Sequence, residues 1–430
     1  MSGLLVDPAF WTVAIFLGLI FLKTPIALAM GATAAFVAWF WDLGIQMMPF
    51  NFAANIAKVP LLAIPFFIFA GCIMEKAGIA ERLVAFIKWC IGSTTGGLAI
   101  STVIVATLWG AISGSGPATV AALGVILIPR MVDVNYDKAF ATSVVSVSSG
   151  LAIIIPPSIS YIVYSSITSV SVGGIFAAGI VPGVLVAAFL CVSVWLTSRS
   201  KGYKGEPRQG AFLPVFIDAI WALLCPVIIL GGIYGGVFTP TEAAAVAIFY
   251  GLAVGIFIYK KITIKTFMEV LLFASSTTAI IMILIACGGM YSWVASTVGL
   301  IERVSGALMA ISDNPVVVLL MINVTLLLAG MIMGGNEIFY IFIPLLMPVM
   351  RHFQWNPVWF GVMATINIAI GQITPPVAAN LFVGSSVSGL PIEKLVPHVI
   401  PLMLFAIAAM ALVCLFPEIT LFLPRYLGLL

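Results

Sequence analysis

The sequence predicts an all-α, polytopic membrane protein built from two related halves, and three observations carry this. Of the 430 residues, 63% are hydrophobic and 8% are charged. Soluble domains carry roughly 25% charged residues, so so few charges cannot cover a water-facing surface and lipid must bathe most of the exterior. Apolar runs recur along the whole chain, many near the roughly 20 residues that a spanning helix needs. The chain also matches itself across a fixed spacing, with two pairs of prolines at the same offset.

The apolar elements follow in order. The run from Ala9 to Trp41 reads as one long or broken spanning element rather than a cleaved leader, because it has no basic start and continues past Lys23. Then come Val59 to Met74, Leu83 to Cys90, Gly96 to Ile112, Thr119 to Ile128, Ala139 to Ile155 and Gly173 to Thr197. The second half supplies Leu213 to Ile233, Glu242 to Tyr259, Phe267 to Tyr291, Pro315 to Met333 and Ile338 to Met350. Trp359 to Ile373, Ala378 to Val387 and Val396 to Leu423 complete the set. Together they predict roughly eleven to thirteen membrane segments, several too short to span alone.

Two basic runs orient the chain: Arg199, Lys201, Lys204 and Arg208, then Lys260, Lys261 and Lys265. Two spans lie between them, joined near Gly235 to Pro240, so both runs face the cytoplasm. The net charge of +3 is scattered and gives no nucleic-acid footprint. Cys72, Cys90, Cys191, Cys225, Cys287 and Cys414 lie in apolar stretches as small hydrophobes, without a CxxC pair. His352 and His398 are isolated, so neither catalytic nor metal clusters of a membrane-embedded enzyme are visible. Glu242 follows Thr239-Pro240-Thr241, a helix-opening cap.

The internal match is the most informative feature. Pro156 and Pro157 correspond to Pro375 and Pro376, and Pro129 to Pro348, all 219 residues apart. Further upstream, Gly-Ile-Ala-Glu-Arg-Leu from Gly78 resembles Gly-Leu-Ile-Glu-Arg-Val from Gly299. Each copy contains a polar, glycine-bearing break, then an apolar segment, then a helix interrupted by Pro-Pro. The breaks are Ser113, Gly114, Ser115 and Gly116 in the first copy, and Gly334, Gly335 and Asn336 in the second.

Broken helices expose backbone polar groups at membrane depth, which protein, water, ion or substrate must satisfy. Paired interruptions of this kind mark the site of a secondary transporter and suit an occluded central site better than an open pore. Ser149, Gly150 and Pro156 belong to the first interrupted helix; Gly371, Gln372, Thr374, Pro375 and Asn380 belong to the second. Ser115 and Thr374 are the leading side-chain ion contacts. Asn336 is a candidate cap of the helix after its break, and Glu337 a candidate functional carboxylate beside it. No Arg, Lys or His lies in either break, so an anionic substrate would meet helix ends, amides and co-bound cations.

Particular stretches resemble the large membrane subunit (DctM-like) of the tripartite ATP-independent periplasmic transporters. They begin at Pro65 (PFFIFAGCIMEKAGIAERL), Ala111 (AISGSGPATVAALGVILIPRM), Ile153 (IIIPPSISYIVYSS), Gly231 (GGIYGGVFTPTEAAAVAIFYG) and Phe360 (FGVMATINIAIGQITPPVAANLFV). The resemblance covers nearly the whole chain. It implies a two-repeat elevator-type ion-transporter fold, with two re-entrant helical hairpins and two broken helices. Residues 1–59, 173–270 and 396–430 would supply scaffold or terminal helices, and 60–172 and 271–395 the two sets of transport elements.

The resemblance further implies sodium as the coupling ion, with two ions, one near Ser115 and Gly150 and one near Gly334 and Thr374. Each hairpin would pack against the break in its own copy, with a carboxylate substrate between the tips. The implied partners are a separate small four-helix membrane subunit and a periplasmic substrate-binding protein. A separate chain for the small subunit is expected because no extra basic-flanked helices precede Phe10 or follow Pro424. The implied location is the bacterial inner membrane. Many members carry an acid near the position of Gly334, whereas here the acid is Glu337. A self-sufficient sodium/carboxylate symporter on a related fold is the alternative.

Overall fold

Helix breaks in this chain fall where proline, glycine or a polar cap interrupts an apolar run. The computed structural model describes residues 7–208 and 210–430. Asp7 accepts the Ala9 amide and Pro8 opens α1 (Pro8–Phe21). Pro25 disfavours helical geometry at Thr24, so the first apolar run divides there and resumes as α2 (Ile26–Phe40). α3 (Met47–Ile56) and a 3-10 turn lead into α4 (Ala63–Lys76).

α5 (Ile79–Ile91) buries Ile79, Leu83, Val84 and Ile87 and carries Glu81, Arg82 and Lys88. The candidate apolar element Leu83 to Cys90, one of those short for a span, lies within this helix. The helix is two-sided and, at about 20 Å long, too short to cross. α6 (Gly97–Ser113) and α7 (Gly116–Asp133) form a helix pair around a two-residue turn. α8 (Lys138–Ser148) tightens into a 3-10 turn over Ser149–Ile153, passes Pro156-Pro157, and resumes as α9 (Ile159–Thr168). α10 (Val172–Ser200) and α11 (Phe212–Tyr234) follow.

α12 (Pro240–Ala253) opens on the capping box that Thr239 and Glu242 spell in the sequence: each side chain meets the other's backbone amide. α13 (Ile264–Thr297) is the longest helix described. After it come α14 (Leu300–Ile311), α15 (Pro315–Gly330), α16 (Gly335–His352) and α17 (Pro357–Gly371). α18 (Ala379–Ser388), α19 (Ile392–Leu415) and α20 (Glu418–Tyr426) complete the order.

The self-match of the sequence has counterparts in this geometry. α7 and α16 are each 18 residues long and begin at 116 and 335. α9 and α18 are each 10 residues long, and left-handed Ser169 and Gly389 end them. α5 and α14 both start after a left-handed glycine, Gly78 and Gly299. The Pro156-Pro157 and Pro375-Pro376 bonds are both cis.

Among the described residues, seven helices are long and apolar enough to cross a membrane, including Val172–Ser200, Phe212–Tyr234 and Ile264–Thr297. The protein is therefore a multi-pass inner-membrane protein. Polar anchors mark its two ends. At the end carrying the basic runs, α5 is clasped by Arg82–Asp218 (3.1 Å), Lys88–Glu206 (2.6 Å) and Lys261–Glu81 pairs. The foot of α6 joins it there, the Gly96 amide donating to the Tyr203 carbonyl (3.2 Å). The start of α8 does too, the Asp137 amide donating to the Tyr203 hydroxyl (3.1 Å).

α13 leaves this end at Lys265. At 34 residues it is about 50 Å long, against a hydrocarbon core of about 30 Å, so α14 begins at the opposite end. There Arg303 pairs with Asp7. Lys58 Nζ donates to the Ser166 carbonyl (2.8 Å), and the Tyr164 hydroxyl to the Pro357 carbonyl (2.6 Å).

Candidate functional site

The site is built where the two turns, 113–115 and 331–334, meet the two interrupted helices. Gly114 takes φ +61, and a side chain there would press on the Pro157 carbonyl, 3.2 Å from the Cβ position. One turn earlier, Gly110 lets α6 ride on the first break, where an added Cβ would lie 2.7 Å from Ala152 Cα. In the second copy Gly330 and Gly371 bring α15 and α17 together backbone to backbone: a Cβ on Gly330 would lie 3.0 Å from Gly371 Cα. The Val377 amide adds a bond to the Met331 carbonyl (3.3 Å).

The opening of α7 crosses over to the other copy, and that of α16 meets both copies. A Cβ on Gly116, the first residue of α7, would stand 2.7 Å from Asn380 Oδ1, 2.9 Å from Asn380 Nδ2 and 3.0 Å from Gln372 Oε1. A Cβ on Gly335, the first residue of α16, would stand 2.9 Å from Ile368 Cγ2 and 3.6 Å from Gln372 Nε2, both in its own copy, and 3.7 Å from Ser160 Oγ of the other. The Gln372 amide thus lies between the openings of α7 and α16. Asn380 is tied down by its Nδ2, which donates to the Ser146 carbonyl (3.3 Å), and by its own amide, which donates to the Gln372 carbonyl (3.0 Å).

The amide oxygens of Asn336, Gln372 and Asn380 are buried and accept no hydrogen bond among the described residues. An unmet acceptor at low dielectric is costly. For Gln372 and Asn380 the adjacent positive end of α7 offsets part of that cost. The three oxygens otherwise await a donor or cation.

A cavity of about 710 Å³ opens from this junction. Its inner wall includes Ser113, Gly114, Ser115, Gly116, Ser160 and Gln372, with Gly334, Gly335, Asn336 and Glu337 opposite. Its outer wall is the last turns of α4 (Cys72, Glu75, Lys76) and the first turns of α13 (Glu269, Phe273, Thr277). Lys76 and Glu269 lie close in sequence to the anchors of the basic end, so the cavity runs toward the cytoplasmic face. Among the described residues Lys76 is its one cationic lining residue, 3.9 Å from Glu75.

Several residues singled out in the sequence stand back from this cavity. Thr374 donates its hydroxyl to the Ile370 carbonyl (2.6 Å) and faces Met403. Ser149 likewise turns back to Val145 (2.8 Å). Gly150 packs on Ala369, and Pro156 is buried beneath the first break. Pro375 is half-buried beside exposed Pro376. Asn336 is not a cap: Gly334 holds that position in extended geometry, and Asn336 sits inside the first turn with its oxygen free.

Glu337, also in that turn, folds its carboxylate over Gly334, with Cδ 2.9 Å from where a Cβ would be. Sequence reasoning passed over Ser160, Glu75, Lys76 and Glu269. Ser160 is the second residue of α9 as Asn380 is of α18, a match that the helix starts give and the 219-residue spacing does not.

A helical membrane protein whose interrupted helices converge on one cavity has the layout of a secondary transporter. Residues 13–419 match the family model described as "Tripartite ATP-independent periplasmic transporter, DctM component", and the chain belongs to that family. It is 37% identical over 412 residues to the isethionate TRAP transporter permease protein DctMQ of Oleidesulfovibrio alaskensis, covering 94% of this chain and 64% of that one. The chain thus spans a little under two thirds of that relative.

It is 39% identical over 371 residues to the C4-dicarboxylate TRAP transporter large permease protein DctM of Pseudomonas aeruginosa, covering 86% and 87%. With the sialic acid TRAP transporter large permease protein SiaM of Vibrio cholerae it shares 35% identity over 421 residues, covering 96% and 97%. Among solved structures, the Alcanivorax borkumensis YdaH transporter has the same fold, with TM-score 0.61, 14% identity, and coverage of 95% and 98%.

Proposed function

We propose that this chain is the large transport subunit of a tripartite importer, carrying a small carboxylate-bearing molecule into the cytoplasm by sodium symport. It works with a separate small four-helix membrane subunit and a periplasmic substrate-binding protein. The α6/α7 and α15/α16 pairs act as re-entrant hairpins of two inverted repeats, and the whole hairpin-and-break assembly moves as an elevator against a scaffold.

The observation that carries this reading is the junction of both helix-pair turns and both breaks at one cavity, with three amide oxygens left unmet. Inversion is supported by the ends at which the matching elements lie: α5 is clasped at the basic end of α13, whereas α14 begins at its other end. The cavity's course between α4 and the start of α13 fits an inward-facing state.

Charge supports the chemistry. No lysine, arginine or histidine lies within either helix-pair turn, so an anion there would be held by helix N-termini and co-bound cations. Ser115 with the carbonyls near Gly150 would hold one sodium ion. The turn at Gly334 with the break around Gly371 to Thr374 would hold the other. In both places the ligands are oxygen atoms, which suits a hard cation.

The test is uptake into vesicles holding both membrane subunits, with isethionate, succinate or sialic acid supplied on the binding protein. Sodium-dependent uptake of at least one acid is expected. Uptake that needs no sodium gradient overturns the coupling, and uptake at full rate without the binding protein identifies a self-sufficient symporter instead.

A further inference from the structure

We infer that Lys58 and Gly288 form an outer latch, which grips the end of α9 and the side of α16 and keeps the cavity open to the cytoplasm and shut to the outside. The inference rests on the elevator reading above and adds to it the contacts that hold this state. Ser160 and Gly335 line the cavity. From there α9 and α16 both run toward the end opposite the basic runs. Ser166 lies six residues beyond Ser160, and Tyr340 five beyond Gly335, rises of roughly 9 and 8 Å along their helices. The two residues are buried and meet there, with their hydroxyl oxygens 3.2 Å apart. This pair bridges the two helices above the cavity.

Each side of the pair is held by a residue outside the hairpin-and-break assembly. On one side, Lys58 comes just before the apolar span Val59–Lys76, so Lys58 and Lys76 stand at opposite faces of the membrane. The Lys58 ammonium donates to the Ser166 carbonyl (2.8 Å). That carbonyl lies in the last turn of α9, where carbonyls lack partners within the helix and carry the negative end of its dipole. A charged donor makes such a bond about twice as strong as a neutral one.

On the other side, Gly288 of α13 receives the Tyr340 ring. A Cβ on Gly288 would lie 2.7 Å from Tyr340 Cγ and 2.8 Å from Tyr340 Cβ. At this level α13 is fixed to the helices of residues 1–59. Cys287 Sγ is 3.0 Å from where a Cβ on Gly31 would be, and the rings of Phe16 and Tyr291 are 5.1 Å apart. This stretch of α13 therefore goes with the scaffold and not with the transport elements expected over 271–395. A rigid movement of the assembly away from the cytoplasm breaks both grips together: Ser166 leaves Lys58, and the Tyr340 ring leaves its notch. Neither Lys58 nor Gly288 lines the cavity, so weakening the latch changes which side is open without touching the cation or substrate contacts.

Two measurements in vesicles holding both membrane subunits test this. In the first, Ala118, which lines the cavity, is replaced by cysteine in a Cys72→Ser background, with that background alone as the reference. A membrane-impermeant thiol reagent is then added from one side or the other. Lys58→Met keeps the length and removes the donor. It should raise the ratio of outer to cytoplasmic labelling about tenfold, the worth of roughly one lost contact. Lys58→Arg, which keeps a donor, should move the ratio far less. An unchanged ratio for Lys58→Met overturns the latch. If the protein with Lys58 intact is nevertheless labelled from both sides, the latch alone falls. If no variant is labelled from outside, the elevator reading falls with it.

The second measurement joins the two sides of the notch. In the Cys72→Ser background, Gly288→Cys with Tyr340→Cys places two thiols face to face. Oxidation should cross-link them and stop the uptake of any acid that the reduced variant carries. Uptake that continues in the cross-linked protein overturns the latch. Where no acid is carried, the transport reading fails separately, and the labelling ratio decides for the latch.

Discussion

Gly116 opens α7 directly against Asn380 of the other half of the chain, with the Asn380 amide oxygen 2.7 Å from where a methyl group on Gly116 would sit. This contact holds the first turn to the second break. Asn380 cannot simply swing away, because its Nδ2 is donated to the Ser146 carbonyl. Gly116→Ala should therefore destabilise the protein by roughly 1–3 kcal/mol, the usual cost of overpacking. Adding Asn380→Ser should return much of the loss. Thermal unfolding of the two single variants and the double variant gives the coupling between the sites. Additive losses would mean that the two residues do not share this space.

Sequence alone makes Ser115 and Thr374 the leading side-chain ion contacts, and their surroundings separate them. Ser115 lines the cavity, whereas the Thr374 hydroxyl is already donated to Ile370. Ser115→Ala should raise the sodium concentration for half-maximal uptake by about tenfold, the worth of roughly one lost contact. Thr374→Ala should shift it less. Equal shifts would show that Thr374 turns toward the ion when sodium binds.

The mouth of the cavity gives a test of sidedness. Cys72 lines it close to Glu75 and Lys76, and Cys225 is buried away from it. A membrane-impermeant thiol reagent should label Cys72 from the cytoplasmic side, with the Cys72→Ser variant as the reference. Cys225 should stay unlabelled. Labelling of Cys72 only from the periplasmic side would reverse the orientation drawn from the basic runs.

How much of this was legible in the sequence depends on the range of the interaction. The Pro-Pro pairs, the offset between Pro129 and Pro348, and the Thr239–Glu242 cap are local signals, and each has a direct counterpart in the structure. The division of the first apolar run at Thr24-Pro25 was half legible, since Pro25 marks a break without fixing its depth. The charged side of α5 was underweighted because its apolar residues alone look like a short span.

What sequence could not supply is the crossing of the halves. Each break was paired with the turn in its own copy, and the backbone contacts of Gly110 and Gly330 do lie there. The contacts of Gly116 run instead to Asn380 and Gln372 of the other copy, and Gly335 reaches Ser160 of the other copy beside Ile368 and Gln372 of its own. Nothing in a linear pattern marks which helix opening meets which break, because that depends on how two halves nest. Ser160 went unnoticed for the same reason: on its own it is one more serine in an apolar helix.

Glu337 offers the last test, because one carboxylate can serve two roles. At the third position of α16 it lies where an acid stabilises a helix start. It also folds over Gly334 at the cavity wall, with no ion pair among the described residues. If it draws the coupling cation to the second turn, Glu337→Gln should raise the half-maximal sodium concentration. Gly334→Ala should do the same, since the new methyl group would push the carboxylate out of place. If Glu337 only stabilises the helix, Glu337→Gln lowers the unfolding temperature and leaves sodium dependence alone. The cation role is expected, because the unmet oxygen of Asn336 sits in the same turn and a second acceptor there adds nothing to a helix start.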